Sequence, residues 1–183
     1  MDKALDRAML VFWRKGYLGT SLFDLTDAMG INRPSLYAAF GNKESLFRKA
    51  LARYFNGPSA YLVEALRKPT ARAVVEYLFQ GVVGLLTDPR TPMTCLWVHS
   101  ALSSGDKPLR KEFAAQRTAA HANLRARFKR AIREGDLPSN ADANALAHFV
   151  FAVNFGLTVS ASTGATRKEL LRIVEIALKA WPK

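Results

Sequence analysis

Hydrophobic residues recur along this chain at the three- to four-residue spacing of amphipathic helices, and no segment alternates with the two-residue period of a strand. The pattern predicts an all-α fold of about nine helices. Four of them are short and tightly connected within the first 56 residues. The others are predicted over residues 70–87, 95–102, 107–134, 140–163 and 166–181. Because Asn56, Gly57 and Pro58 interrupt the pattern, we expect one domain over residues 1–56 and a second over residues 57–183.

The third predicted helix is barely two turns long, and its first turn is polar. It lies within residues 31–47, which read INRPSLYAAFGNKESLF. Asn32 is placed to cap it, and Pro34 fits its first turn because a proline there loses no helical hydrogen bond. Only Gly-Ile-Asn separates it from the second helix, which Ser21 and Asp24 begin as a capping box. This connection has the length and chemistry of the turn in a helix-turn-helix.

The charge balance favours a polyanionic partner. The 183 residues include 27 Lys and Arg against 15 Asp and Glu, a formal net charge of +12. Such a field attracts nucleic acid or an anionic membrane surface. The most basic stretch is residues 107–134. We interpret it as a solvated outer face, with a second nucleic-acid surface as the alternative, and in both cases it raises non-specific DNA affinity.

The single cysteine, Cys95, rules out an intrachain disulfide and is typical of a protein in a reducing cytoplasm. We interpret it as a small buried hydrophobic residue, with a thiol sensor or a soft metal ligand as the alternatives. The three histidines and the cysteine lack the spacing of a metal site, so no metal or cofactor is predicted. From the sequence, we expect no apolar run to be long enough to span a membrane.

A resemblance to a known family covers residues 2 to about 50. The segment that carries it reads FWRKGYLGTSLFDLTDAMGINRPSLYAAFGNKESLF, and it is similar to the DNA-binding domain of the tetracycline-repressor (TetR/AcrR) family of bacterial transcriptional regulators. The matching positions are Phe12, Gly16, Tyr17, Thr20, Ser21, Leu25, Gly30, Ile31, Ser35, Leu36, Tyr37, Phe40, Lys43, Glu44 and Leu46. The resemblance implies a cytoplasmic repressor that binds a palindromic operator as a homodimer and is released by a small molecule.

The resemblance also implies that helix 33–39 enters the major groove of DNA and that helix 21–29 lies across the backbone. A helix N-terminus there presents free N–H groups to phosphate. Arg33 can reach a guanine edge or a phosphate, and Pro34 offers an apolar face to a thymine methyl group. Because alanines occupy positions 38 and 39, we expect base reading to depend mainly on Arg33 and Ser35. The predicted DNA-contacting residues are Thr20, Ser21, Asn32, Arg33, Pro34, Ser35, Tyr37 and Lys43.

The last two helices are expected to form the dimer interface, as they do in the family. Helix 140–163 carries small residues four positions apart, which lets two helix backbones approach closely, and an isologous pairing is the common solution. Ordinary packing within one chain is the alternative. The predicted interface residues are Ala152, Gly156, Ser160, Gly164, Leu170, Ile173, Val174 and Ala177.

A ligand pocket is expected among the helices of the second domain. Its predicted lining is mostly apolar with a few polar groups, which suits a small and mostly apolar effector. The histidines in it are also interpretable as satisfied core residues. The predicted lining residues are Phe79, Val83, Leu86, Cys95, His99, Gln116, His121, Leu124, Phe128, Phe149, Val153 and Asn154.

Two other functional classes are alternatives to a ligand-responsive regulator. An α-helical enzyme would need a nucleophile and a base that converge, and the sequence shows no such set, so no catalytic residue is predicted. A purely architectural DNA-binding protein would lack a cavity in the second domain.

Overall fold

The computed structural model describes residues 2–103 and 107–182 of the chain, and over these residues the protein consists of ten α-helices without a strand. The predicted all-α fold is confirmed. The helix that the sequence did not predict is α5, which is only five residues long. The helices are α1 (Asp2–Gly19), α2 (Leu22–Met29), α3 (Arg33–Phe40), α4 (Lys43–Asn56), α5 (Tyr61–Ala65), α6 (Ala71–Leu86), α7 (Leu96–Ser103), α8 (Lys107–Arg133), α9 (Ala143–Ser162) and α10 (Arg167–Lys179).

The short helices α2, α3 and α4 begin where their capping residues place them. Ser21 and Asp24 form the reciprocal capping box at the start of α2. Asn32 and Asn42 each accept a hydrogen bond from the backbone N–H three residues later, at the starts of α3 and α4. Gly30 ends α2 in the left-handed conformation, with φ 69°, which glycine adopts without steric cost. These boundaries are local, so sequence alone specifies them.

The glycine predicted to stop the first helix instead marks a kink within it. Gly16 has φ 68° and ψ 176°, while helical geometry resumes and continues to Gly19. The hydroxyl of Thr20 donates to the carbonyl oxygen of Gly16 at 2.7 Å.

The hydrophobic core has two clusters. One is centred on aromatic residues of α1 and α4, where the rings of Phe12 and Phe47 lie 5.0 Å apart. Leu96 of α7 and Phe113 of α8 are buried in the same cluster. The other cluster joins α6, α8, α9 and α10. The first four helices are therefore anchored on helices that follow them in sequence.

Polar contacts join the same elements. The indole N–H of Trp13 in α1 donates to the carbonyl oxygen of Thr94 at 2.6 Å. The hydroxyl of Tyr54 in α4 donates to Sγ of Cys95 at 3.3 Å, which fixes the thiol in a buried position. Both acceptors lie immediately before α7. The segment that leads into α7 is therefore held by α1 and α4 together.

Helix α9 contains no Asp, Glu, Lys or Arg over its whole length. This corrects the expectation from the sequence that no apolar run is long enough to span a membrane. In the described part of the chain it is the one helix long and apolar enough, by length and composition, to cross a membrane. The core helices of globular proteins meet the same criterion, but only 28% of this window is buried within the chain. Helix α9 therefore presents an apolar surface that the rest of the described chain leaves uncovered.

The contact between α5 and α6 gives a test of the packing. The ring of Tyr61 lies directly against Gly81, where an added Cβ would overlap it, whereas no atom lies within 4 Å of a Cβ built on Gly84. We expect Gly81→Ala to destabilise the protein by about 1–3 kcal/mol, because it overfills the contact. Gly84→Ala on the same helix should stabilise it by about 0.5–1 kcal/mol, because alanine loses less backbone entropy.

The measurement is thermal unfolding followed by circular dichroism at one protein concentration. Gly84→Ala is the matched control, since it makes the same chemical change in the same helix. If both variants unfolded at a higher temperature than the wild type, the ring of Tyr61 would not be held against α6.

Candidate nucleic-acid interface and internal cavity

The outer face of α3 carries the polar side chains that the sequence placed at its start. Arg33, Pro34 and Ser35 are exposed, and Tyr37 is 47% exposed. On the opposite face Leu36 is fully buried. Because packing fixes this inner face, the first turn of α3 projects its side chains into solvent, while Asn32 accepts hydrogen bonds from the N–H groups of Ser35 and Leu36. The geometry is that of a helix presented to a partner.

Asp24 holds the start of α2 in place. Its carboxylate accepts hydrogen bonds from the backbone N–H and the hydroxyl of Ser21, both at 2.8 Å, and forms an ion pair with Lys15. The hydrogen bond from Lys15, followed by those from Ser21, lowers the pKa of Asp24 to about 2. The turn that leads into α2 is therefore fixed by an ionised capping residue.

Thr20 does not face solvent, which corrects its predicted role in DNA contact. Its side chain is 1% exposed, and its hydroxyl donates to Gly16. Ser21 remains exposed, although its hydroxyl is engaged with Asp24. The sequence did not show this, because the burial of the side chain depends on how α1 packs against the other helices.

Lys43 begins α4 and lies close to the start of α2. Its ammonium group is 4.6 Å from the centre of the Tyr17 ring, a cation–π contact. Partial burial lowers the pKa of Lys43, and the nearby charge of Asp24 acts in the opposite direction. The side chain is therefore positioned by an aromatic surface rather than free to move in solvent.

The structure adds two exposed apolar residues to this surface. Phe23 is 69% exposed on α2, and Leu18 is 53% exposed just before it. The sequence contained a signal for Phe23, because it falls outside the apolar stripe formed by Leu22, Leu25 and Met29. An exposed phenylalanine next to a polar helix start is an additional candidate contact.

A partly open cavity of about 440 Å³ lies between the first cluster and the second. Of the predicted pocket residues, the ones that line it are Cys95, Gln116, Leu124 and Asn154. The other lining residues are Phe55, Tyr61, Leu62, Val63, Leu66, Leu78, Val82, Trp97, Val98, Arg117, Ala119, Ala120, Asn123, Phe151, Phe155 and Thr158. Its walls are mostly apolar and rich in aromatic rings, as expected of a small-molecule site.

The remaining predicted pocket residues do not line this cavity. They are Phe79, Val83, Leu86, His99, His121, Phe128, Phe149 and Val153. Phe79 and Phe128 have no exposed surface, because they fill the second cluster. The ring of His121 packs against that of His148 at 4.1 Å. Helical periodicity identified the inner faces but not which inward side chains border the open space.

A second groove of about 550 Å³ lies between α1, α7 and the end of α9. His99 lines it, and Nδ1 of this residue is 3.3 Å from the carbonyl oxygen of Trp13. Met93 and Val159, also in its wall, are 49% and 51% exposed. The groove is therefore a feature of the surface, whereas the smaller cavity lies among the helices.

The predicted dimer residues divide into two groups. Leu170, Val174 and Ala177 are buried in the second cluster of their own chain, which corrects their assignment to an interface. Ser160 is half-buried, and the exposed members are Ala152, Gly156, Gly164 and Ile173. Exposed apolar residues that the prediction missed are Val159 and Ile176, at 51% and 68% exposure.

Comparisons with known proteins agree with the helix-turn-helix geometry. The family model for bacterial regulatory proteins of the tetR family matches residues 4–50, and the model for the tetracyclin repressor-like C-terminal domain matches residues 71–176. The HTH-type transcriptional repressor ComR of Escherichia coli K12 is 35% identical over 100% of this chain and 89% of its own length. The uncharacterized HTH-type transcriptional regulator YezE of Bacillus subtilis is 33% identical over 95% of this chain and 92% of its own length.

A solved structure with the same fold is a cysteine mutant of the TetR family transcriptional regulator CifR, complexed with a 26-bp double-strand operator DNA. It has a TM-score of 0.93 and 43% identity, and the match covers 100% of this chain and 96% of that one. The fold and the exposed α3 thus define a helix-turn-helix DNA-binding transcriptional regulator. The chain belongs to the TetR family, whose members act as dimers and bind small-molecule effectors. The predicted family and the predicted DNA-binding regulatory function are confirmed.

The cap of α2 makes a prediction about pH. Because the pKa of Asp24 is lowered from 3.8 to about 2 on folding, the stabilisation by its carboxylate is fully present above pH 4. It is lost as the pH falls towards 2. Asp24→Asn should therefore be less stable than the wild type at pH 6, and the difference should shrink as the pH is lowered to 3.

Urea unfolding from pH 6 to 3 measures this difference. Asp27→Asn is the control, since Asp27 is exposed on the same helix but lies outside the capping box; its effect should not vary in the same way. A constant difference between Asp24→Asn and the wild type would contradict the assigned ionised cap.

Proposed function

We propose that this protein is a repressor that binds a palindromic operator as a homodimer and is released from it by a small, mostly apolar molecule. The observation that carries the proposal is the exposed first turn of α3, which presents Arg33, Ser35 and Tyr37 while Leu36 holds the helix from beneath. The repressor ComR, 35% identical over the whole chain, and the operator-bound CifR structure support the same function.

In this proposal Arg33 reads a guanine edge in the major groove. Ser35 and Tyr37 bond phosphate oxygens, which fixes the register on the duplex without reading sequence. Lys43, held over the ring of Tyr17, contributes a further phosphate contact. Asn32 and Ser21 act indirectly, because their side chains cap the two helices.

The exposed apolar surface of α9 and α10 is the proposed dimer interface. Val159 and Ile176 are each more than half exposed, and Gly156 offers no side chain to keep a second helix away. A twofold pairing of this surface would cover it and place two copies of α3 about one turn of DNA, ~34 Å, apart.

The cavity is the proposed effector site. It borders Cys95, which accepts a hydrogen bond from Tyr54 of α4. A ligand that displaces Cys95 would therefore act, through Tyr54, on the first four helices. A coupling free energy of about 1–3 kcal/mol between the two sites is typical and changes operator affinity by several-fold or more.

We also propose that the chain divides at residues 56 and 57 into a DNA-binding domain and an effector-binding and dimerisation domain. The two family models, over residues 4–50 and 71–176, lie on either side of that boundary. The protein is proposed to work in the cytoplasm without catalytic activity. Support comes from its similarity to transcriptional regulators along its whole length.

Substitution of Arg33 tests the DNA-binding proposal. We expect Arg33→Ala to weaken operator binding by about 10- to 100-fold and to relax specificity at one position of each half-site. The operator is obtained by selecting bound sequences from random duplex DNA, and the selected motif should be an inverted repeat. Affinities are then measured by fluorescence anisotropy at fixed salt.

Arg133→Ala is the matched control, because it removes the same charge from the exposed last turn of α8. It should lower affinity uniformly across sequences and by a smaller factor. The proposal fails if selection recovers no motif at any salt concentration, or if Arg33→Ala selects and binds the operator as the wild type does.

Substitution of Ile176 tests the dimer interface. A glutamate at this exposed position should place a charge in the paired apolar surface, so Ile176→Glu should sediment as a monomer of 20.3 kDa at concentrations where the wild type is a dimer. Leu18→Glu is the control, because Leu18 is 53% exposed near the end of α1, outside the proposed interface. This variant should remain a dimer. A dimeric Ile176→Glu would exclude this surface as the interface.

A further inference from the structure

Most polar groups of the cavity lie on one side. Helices α7, α8 and α9 contribute Trp97, Gln116, Arg117, Asn123, Asn154 and Thr158. The side formed by α5 and α6 is mostly aliphatic and aromatic, with the hydroxyl of Tyr61 as its polar group, and its members are Tyr61, Leu62, Val63, Leu78 and Val82. A ligand that fills this space would turn its hydrocarbon part towards α5 and α6 and a polar group towards α9.

Asn154 has a hydrogen-bonding atom that nothing else in the described chain satisfies. Its Oδ1 is buried and has no hydrogen-bond partner there. Its backbone carbonyl oxygen is already the acceptor for the hydroxyl of Thr158, at 3.0 Å. Buried polar atoms are normally paired, so an orphaned one in the wall of a cavity indicates a group that a ligand would complete.

Gln116 supplies the complementary group. Its Oε1 accepts a hydrogen bond from the indole N–H of Trp97 at 3.0 Å. Because the indole can only donate, this contact fixes the orientation of the carboxamide and leaves its NH₂ group as a donor. On this side of the cavity, Asn154 therefore offers an unused acceptor and Gln116 offers a donor.

The charge of the lining limits the class of ligand. Among the residues that line the cavity, Arg117 is the one charged side chain, and it is exposed. With no carboxylate in the lining, an ammonium group would lose its hydration without gaining a counter-ion. A carboxylate placed at Asn154 would face a carbonyl oxygen and lack a buried cation.

We infer that the cavity takes an uncharged, largely apolar molecule with one hydroxyl group, and that Asn154 is the residue that selects this hydroxyl. The inference rests on the proposed function of the cavity as an effector site. A hydroxyl can donate to an acceptor such as the carbonyl oxygen of Asn154, and it can accept from a donor such as the NH₂ group of Gln116. It satisfies Asn154 in either orientation of the carboxamide, because it is both a donor and an acceptor.

The size of the cavity sets the scale of the molecule. A volume of about 440 Å³ lies within the range of small-molecule sites, and it accommodates a medium-length alkyl chain or a small ring system. Probes built on an unbranched chain of eight carbons, with different polar ends, are therefore suitable. They are 1-octanol, octyl methyl ether, octanoate and octylammonium.

Binding of each probe is measured by titration calorimetry on the full-length protein without DNA. We expect 1-octanol to bind at least 10-fold more tightly than octanoate or octylammonium, and more tightly than the ether, which cannot donate. Asn154→Leu should weaken 1-octanol binding by about 3- to 10-fold, as loss of one hydrogen bond does, and should abolish the preference for the alcohol over the ether. Asn144→Leu is the control, since Asn144 is exposed in the first turn of α9 and does not line the cavity.

Several results would overturn the inference. They are equal or tighter binding of a charged probe by the wild type, no binding of 1-octanol, and unchanged alcohol selectivity in Asn154→Leu. The preference of the wild type among the four probes does not depend on whether the variant folds. If Asn154→Leu is insoluble, this preference alone tests the inferred ligand class.

A separate measurement distinguishes this inference from the proposed function. Operator affinity is determined with and without saturating 1-octanol. If the alcohol binds through Asn154 but leaves operator affinity unchanged, the assignment of the ligand class holds and the proposed release by a ligand fails.

Discussion

The burial of Leu96 and Phe113 among the aromatic residues of α1 and α4 is the contact on which the rest of the structure depends. Helices α2 and α3 are too short to be stable alone, and α3 keeps its outer face free only because Leu36 is held from below. The cluster that holds it is completed by side chains from α7 and α8. The DNA-reading surface is therefore built on the helices that also border the cavity.

Helix α7 faces both sites at once. Leu96 points into the first cluster and is fully buried, while the next residue, Trp97, lines the cavity and stacks on Phe155 with ring centres 5.9 Å apart. Trp13 and Tyr54 hold the segment just before this helix. A shift of the α7 backbone at Trp97 would also move Leu96, because the two residues are adjacent on one helical turn. Packed interiors transmit such shifts rather than absorb them.

What the sequence could predict was local. The starts of α2, α3 and α4 depend on capping residues a few positions away, and these were identified correctly. Helix α5 was missed because it has no side-chain cap, and it packs through Tyr61 on Gly81, a contact between distant positions. Cavity residues were only partly identified for the same reason: which inner side chains border open space depends on how whole helices are placed.

The apolar stripe of α10 shows what hydrophobic periodicity alone cannot assign. Leu170, Val174 and Ala177 were grouped with Ile173 as one interface, but the first three turn into their own chain and Ile173 is 39% exposed. Two apolar faces overlap on this helix, and periodicity alone cannot separate a face that packs within the chain from one that does not. Exposure in the folded chain separates them, and it adds Ile176 to the outer set.

Helix α9 connects the cavity to the proposed partner in the way that α7 connects it to DNA. Asn154 and Thr158 line the cavity, while Gly156 and Val159 of the same helix lie on the outer surface. A ligand bonded to Asn154 would therefore touch a helix of the dimer surface and, through Trp97, a helix that supports α3. In the proposed dimer, the distance between two copies of α3 would depend on both helices. A small molecule in this cavity would bias that distance, because it would contact both of them.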